Sequence, residues 1–110
     1  MPKRGEVWWV NFDAAVGGEI RKRRPAVIVS NDSANRHLNR VQVVPLSSAV
    51  DRIYPSEACV QFQGREGKVM ADQLTTVSKL RLVECGGRLT GEEMAAVERV
   101  MLIQLGMFAG

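Results

Sequence analysis

The apolar positions change period along the chain. Residues 6–12, EVWWVNF, alternate imperfectly and are rich in aromatic and β-branched side chains, which predicts a strand. Trp8, Val10 and Phe12 would share one face, Val7 and Trp9 the other. PAVIVS, 25–30, is apolar on both faces and predicts a central strand. Pro25 opens it, where a missing N–H is tolerated. VQVVPL, 41–46, predicts a third strand. ACVQFQ (58–63) and KVMA (68–71) predict a hairpin across GREG (64–67), whose glycines admit a turn. DQLTTVS (72–78) continues irregularly, and LRLVECGGRL (80–89) predicts a short turn and a last strand. The stretches 13–23, with Gly17 and Gly18, 31–40 and 47–57 read as loops.

The final stretch follows a helical period instead. Thr90 and Glu93 fit a capping box, with Thr90 as N-cap, and the helix is expected to run to about Phe108. Met94, Val97, Met101, Leu105 and Phe108 form one apolar stripe. Val100, Ile103 and Met107 form a second, nearly opposite. Such a helix needs two neighbours, the chain's own sheet and a second subunit, so a homodimer is expected. Short strands, long loops and one terminal helix predict a mainly β fold, a small, strongly bent β-barrel with a C-terminal helix, as one domain over 1–110.

Composition narrows the class. With 110 residues the chain supports one modest core, and 45% apolar with 25% charged residues is ordinary for a globular protein. The net charge of +3 permits a polyanionic partner without requiring one. Cys59 and Cys85 are far apart and form no CxxC pair, which argues against zinc and for buried free thiols in a reducing cytoplasm. No apolar run approaches the roughly 20 residues of a membrane span, and the first residues lack a secretory pattern, so a cytoplasmic location is expected.

The placement of charge says more than its sum. Arg21, Lys22, Arg23 and Arg24 hold four of the 15 cations and stop at Pro25, the mouth of the central strand. A residue before proline is driven to extended geometry, so Arg24 is held with little backbone freedom. Its planar guanidinium suits bidentate contact with phosphate. A charge run alone usually means a solvated edge. Two further segments alter that balance: PLSS (45–48) puts two hydroxyls after one strand, and ADQLTT (71–76) puts an acid, an amide and two hydroxyls after another. Converging strand ends would gather cations, hydroxyl donors and a carboxylate around a phosphodiester. His37 stands alone in a polar loop and has no second histidine to complete an acid–base pair.

These segments carry a resemblance. RGEVWWVNFD (4–13), GGE (17–19), RPAVIVSND (24–32), VVPLSS (43–48), ADQLTTVSKLRL (71–82) and the terminal helix, in that order, resemble the MazF/PemK family of toxin endoribonucleases. The resemblance implies an SH3-like barrel, a dimer, and sequence-selective cleavage of single-stranded RNA without metal or cofactor, leaving a 2′,3′-cyclic phosphate and a 5′-hydroxyl. It also implies a cognate antitoxin with an acidic, flexible segment. By position it makes Arg24 and Ser47 catalytic, with Glu19 and Asp72 as further catalytic candidates. Arg21, Arg23, Asn31, Asp32, Arg36, Ser48, Gln73 and Thr76 become candidate RNA contacts. The chain departs from the family's pattern at Ala14, where proline is common, at Ser47, where threonine is common, and at Met70, where one branch carries arginine. Two other readings share the fold: a gyrase-directed poison of the CcdB kind, and an RNA-binding barrel without activity. Arg24 and Ser47 separate the gyrase-directed poison from the endoribonuclease, whereas the serine at 47 and Met70 keep the inactive barrel open.

Overall fold

The computed structural model describes residues 1–12 and 23–107. In chain order these form β1 (Glu6–Asn11), β2 (Arg23–Ile28), α1 (Asp32–His37), β3 (Arg40–Ser47), β4 (Glu57–Phe62), β5 (Arg65–Met70), β6 (Thr75–Ser78), β7 (Leu82–Arg88) and α2 (Gly91–Gln104). Single 3₁₀ turns at Ala71–Gln73 and Lys79–Arg81 flank β6. The strands make one sheet in the order β4-β5-β3-β2-β1-β7, with β6 paired to β3 beside that path. All of the pairings are antiparallel. The expected mainly β fold with a C-terminal helix is the one observed.

β3 is the element that curls the sheet. Its first half, Arg40 to Val43, pairs with β6, and its end, Leu46 and Ser47, pairs with β5. One eight-residue strand therefore serves two partners along the same edge. The curl gives the sheet two buried faces. Val7, Val27, Val44, Leu46, Val60 and Val69 face α2, whereas Val10, Ala26, Ile28, Val41, Val43 and Val77 pack on one another with Trp8, Phe12 and Leu82 against them. This explains why PAVIVS is apolar on both sides: alternate residues of β2 enter different halves of the core.

α2 begins with the expected capping box. Thr90 Oγ1 accepts from the Glu93 N–H at 3.1 Å, and Glu93 Oε1 accepts from the Thr90 N–H at 2.9 Å. Met94, Val97 and Val100 are buried, each contributing about 1.5–3 kcal/mol by leaving water. Val100 thus belongs to the sheet-facing stripe, not to an opposite one. The helix ends at Gln104 rather than near Phe108, and Phe108 lies outside the described residues. Leu102, Ile103, Leu105 and Met107 are exposed at this end.

Four local expectations change. First, residues 31–40 contain a short helix. Asn31 Oδ1 accepts from the Ala34 N–H at 2.8 Å, and the buried Asn35 amide donates to Ser30 O at 2.9 Å. The polar run supplies caps, which a loop reading of polarity overlooks. Second, the hairpin turn is Gln63-Gly64, with φ of 51° and 77°, the pattern of a tight primed turn, and β5 already starts at Arg65. Third, Arg23 and Arg24 precede Pro25 within β2, and the β2–β3 ladder begins only at Ala26, so the proline interrupts no β3 pairing. Fourth, both cysteines are exposed free thiols: Cys59 is on the outward face of β4, and Cys85 is on β7 at the edge of the sheet. Of the loop expected at 13–23, residues 13–22 lie outside the described residues.

Among the described residues no helix is long and apolar enough to cross a membrane.

Candidate active site

The sheet's curl brings the end of β3 beside the start of β2. The β2–β3 register pairs Ala26 with Pro45, and carrying it two residues further sets Arg24 across from Ser47. On its other side Ser47 pairs with Lys68 of β5. Arg24, Pro25, Leu46, Ser47 and Ser48 form one side of a cavity of about 690 Å³. The β4–β5 hairpin, from Phe62 to Gly67, lines it too, as does Trp9 of β1. The sequence-predicted cation and alcohol therefore meet in one concave site.

The local chemistry suits an anion. Arg24 is exposed at the end of a rigid strand. Ser47 is half-buried, and its Oγ accepts from the Ala49 N–H at 3.1 Å. That bond orients the oxygen and leaves its own proton to donate. Gly67 contributes by being small: a Cβ there would stand 3.2 Å from Ser47 O. Arg65 adds a second guanidinium to the lining, and Glu66 a carboxylate.

Behind the site, Lys68 is buried and bridges two elements. Its Nζ donates to Arg52 O at 2.8 Å and lies 2.9 Å from Glu57 Oε1 and 5.5 Å from the centre of the Tyr54 ring. Tyr54 N–H donates to the same Glu57 oxygen at 2.9 Å. Burial works to raise the Glu57 carboxyl, but the Tyr54 N–H and Lys68 outweigh it and hold the group below the ordinary carboxylate value. The loop 48–56 that follows Ser47 is thereby fastened to the hairpin.

The remaining predicted residues fall in three groups. Ser48 lines the cavity, and Arg23 is exposed on β2 beside Arg24. Glu19 and Arg21 lie outside the described residues. The others stand elsewhere. Asn31 caps α1, and Arg36 is exposed in its last turn. Asp32 accepts from the Arg4 N–H at 2.7 Å and from the Asn35 amide at 3.2 Å; those two bonds, the Arg4 one foremost, hold its carboxyl below the ordinary value. Thr76 Oγ1 accepts from Gln42 Nε2 at 3.0 Å and pairs with Gln42, five residues before Ser47 on β3. At roughly 3.3 Å per residue that is on the order of 16 Å along the strand. Asp72 and Gln73 are exposed in the turn after β5, beyond the lining, and Gln73 Nε2 is 3.7 Å from Met70 Sδ. His37 closes α1, its Nδ1 2.8 Å from Ser33 O.

Trp9, Phe62, Gln63, Arg65 and Glu66 line the cavity without having been singled out for it as a set. A tryptophan in an apolar strand looks like core, and a hairpin tip of polar residues looks like any solvated turn. Only the curl of β3 brings the tip over Ser47.

Known proteins share this fold. The chain is 31% identical to "Endoribonuclease MazF9" of Mycobacterium tuberculosis, with 99% of this chain and 100% of that protein aligned. Its fold superimposes on an endoribonuclease in complex with its cognate antitoxin from a mycobacterial species, with a TM-score of 0.83, 27% identity and 100% of both chains covered. A MazE–MazF structure from Deinococcus radiodurans gives a TM-score of 0.83 at 28% identity, covering 97% of each chain. Residues 3–105 match the family described as the PemK-like, MazF-like toxin of type II toxin–antitoxin systems, and the chain belongs to that family.

Proposed function

We propose that this toxin is an endoribonuclease that seats the scissile phosphate of single-stranded RNA between Arg24 and Ser47. The observation that carries the reading is the shared cavity: a guanidinium borne on a strand and a hydroxyl with a free proton line one concave site. RNA brings its own nucleophile. The 2′-oxygen attacks phosphorus as the bond to the 5′-oxygen breaks, which yields a 2′,3′-cyclic phosphate and a 5′-hydroxyl. Arg24 binds the non-bridging oxygens, where negative charge builds, and Ser47 donates to the same phosphate. Removing one such preorganised donor costs about 10²–10³ in rate.

The 2′ proton needs an acceptor, and the 5′-oxygen needs a proton. An ordinary arginine holds its proton too tightly to serve as base. Asp72 stands away from the cavity, so Glu19 is our candidate base, or else, with water as the base, the carboxylate that orients Arg24; solvent water returns a proton to the leaving 5′-oxygen. Such help is worth about 10²–10⁴. All of these groups belong to the protein and the RNA, and the reaction is assigned to them without a metal.

We further infer that one domain over 1–110 acts in the cytoplasm as a homodimer. The exposed Leu102, Ile103, Leu105 and Met107 would meet a second copy. A cognate antitoxin with an acidic, flexible segment would occupy the groove of Arg24 and Arg65 and exclude RNA. RNA binding should weaken as salt rises, because phosphate contacts release counterions.

The test is cleavage of mixed single-stranded RNA in EDTA. Fragments with 5′-hydroxyl ends are expected from the wild type. Arg24→Ala, which alters an exposed side chain, should fold and lose that activity. Intact RNA with folded wild type would overturn the reading, and inhibition of gyrase in its place would point to a poison of a protein target.

A further inference from the structure

Trp9 and Phe62 line the cavity, yet phosphate chemistry uses neither ring. Their centroids are 5.8 Å apart, the planes inclined by 56°, and both residues are half-buried. The surroundings are built to hold Phe62 there. A Cβ on Gly86 would lie 2.7 Å from Phe62 Cζ and 2.9 Å from Gln63 Nε2, so both side chains occupy space that only glycine leaves. The β1–β7 register skips a residue at that point, from Val7 with Gly87 to Trp8 with Cys85, and Gly86 is the extra residue of this bulge.

The hairpin beside the rings carries acceptor oxygens on Gln63 and Glu66 and donors on Arg65. Gln63 sits at φ 51°, a conformation L side chains rarely adopt, and its Nε2 donates to Gly86 O at 3.2 Å. That bond uses one of the two amide N–H groups and leaves the oxygen to accept. Glu66 adds a carboxylate to the same wall. Arg65, next to it, supplies charge for the backbone of a nucleic acid.

We propose that this end of the cavity is a base subsite, which deepens the reading above and rests on it. The unstacked nucleobase beside the scissile phosphate lies against Phe62 and Trp9, while Gln63 Oε1 and Glu66 accept from its amino edge. Aromatic stacking tolerates any base, and edge hydrogen bonds choose among them. Adenine, cytosine and guanine carry an exocyclic amino group. Uracil has none: its one edge donor, N3–H, lies between two carbonyl oxygens, so it can serve one acceptor while setting a carbonyl against the other. The subsite therefore selects against uracil at one position next to the cut.

Sequencing the ends released from mixed RNA tests this, with the wild type, Glu66→Gln and Phe62→Leu side by side. Glu66 is exposed, so its amide variant keeps the fold. Wild-type ends should be depleted of uracil roughly tenfold at one position adjoining the cut. Glu66→Gln, whose amide can also donate, should lift that depletion. Phe62→Leu should raise KM about tenfold through lost stacking. Wild-type cleavage with uracil used as often as the other bases would overturn the proposal. So would an end profile for Glu66→Gln identical to that of the wild type. Glu66→Gln that slows every sequence alike and removes the acid limb of the pH–rate profile would make Glu66 a proton carrier instead. A folded wild type that cuts no RNA removes the cleavage reading itself, and this subsite with it.

Discussion

Lys68 Nζ lies 2.9 Å from Glu57 Oε1, with only 8% of either side chain exposed. The pair sits one strand away from Ser47, since Ser47 and Lys68 are partners across β3 and β5. A charge so placed is tolerable only while its partner remains.

Lys68→Met should therefore destabilise the fold by about 3–5 kcal/mol, because it strands the Glu57 carboxylate. Lys68→Met combined with Glu57→Met should cost less than the single change, since no charge stays buried. It should not recover fully, because the Tyr54 N–H would lose its acceptor. Urea denaturation of the three proteins measures both effects.

Acid should act through the same pair. The Glu57 carboxyl is held below its ordinary value of 4.5, by the Tyr54 N–H and Lys68 against the opposing effect of burial. A depressed carboxyl contributes stability fully above its unfolded value, and that contribution is lost as pH falls through the folded one. The wild type should lose more stability than Glu57→Gln between about pH 5 and pH 3. Asp32 also titrates low, but it is common to both proteins. The difference between their denaturation midpoints across that range isolates Glu57; parallel curves would contradict the assignment.

Ser47 separates hydroxyl chemistry from packing. Ser47→Ala removes the donor to phosphate and should lower kcat about 10²–10³-fold, with KM changed less. Ser47→Thr retains the hydroxyl and adds a methyl that limits rotation about χ1, so it should keep most of the rate. Single-turnover cleavage of one RNA oligonucleotide by the three proteins decides it. Equal rates for serine and alanine would remove Ser47 from the reaction.

What could be read early was whatever a short window contains. The capping box at Thr90 and Glu93, the two-sided apolar run of β2 and the pre-proline arginine are all local patterns, and each appears as expected. Convergence of Arg24 and Ser47 was a weaker expectation, drawn from strand ends alone. The β2–β3 register accounts for it, and pairing partners leave no mark in a one-dimensional pattern. The same limit explains the residues that part company. Asn31 and Asp32 look like ligands when counted as polar groups, but the Ala34 and Arg4 N–H groups engage them. Phe62 and Glu66 look like an ordinary hairpin tip until the sheet curls them over Ser47. Cys59 sits between apolar neighbours in sequence, and the alternation that buries Ala58 and Val60 turns its thiol outward.

Gly67 makes the last prediction, because it joins fold to chemistry at one atom. It is buried in β5, has no positive φ, and lines the cavity. Backbone freedom is therefore not what the position requires; space is. A Cβ would stand 3.2 Å from Ser47 O, closer than ordinary contact, and the neighbour is backbone that cannot rotate away. Gly67→Ala must shift the end of β3 by a few tenths of an ångström or tilt the hairpin. Either movement displaces Ser47 relative to Arg24, and misplacing a reacting group by an ångström or so can cost about 10² in rate. We expect Gly67→Ala to lose activity well beyond its loss of stability. Gly64→Ala should behave in the opposite way: its φ of 77° makes a side chain strained, yet nothing lies within 4 Å of the added atom. Cleavage rates set against urea midpoints for the two variants test the contrast. Loss of activity in simple proportion to stability for both would show that the gap beside Ser47 has no catalytic part.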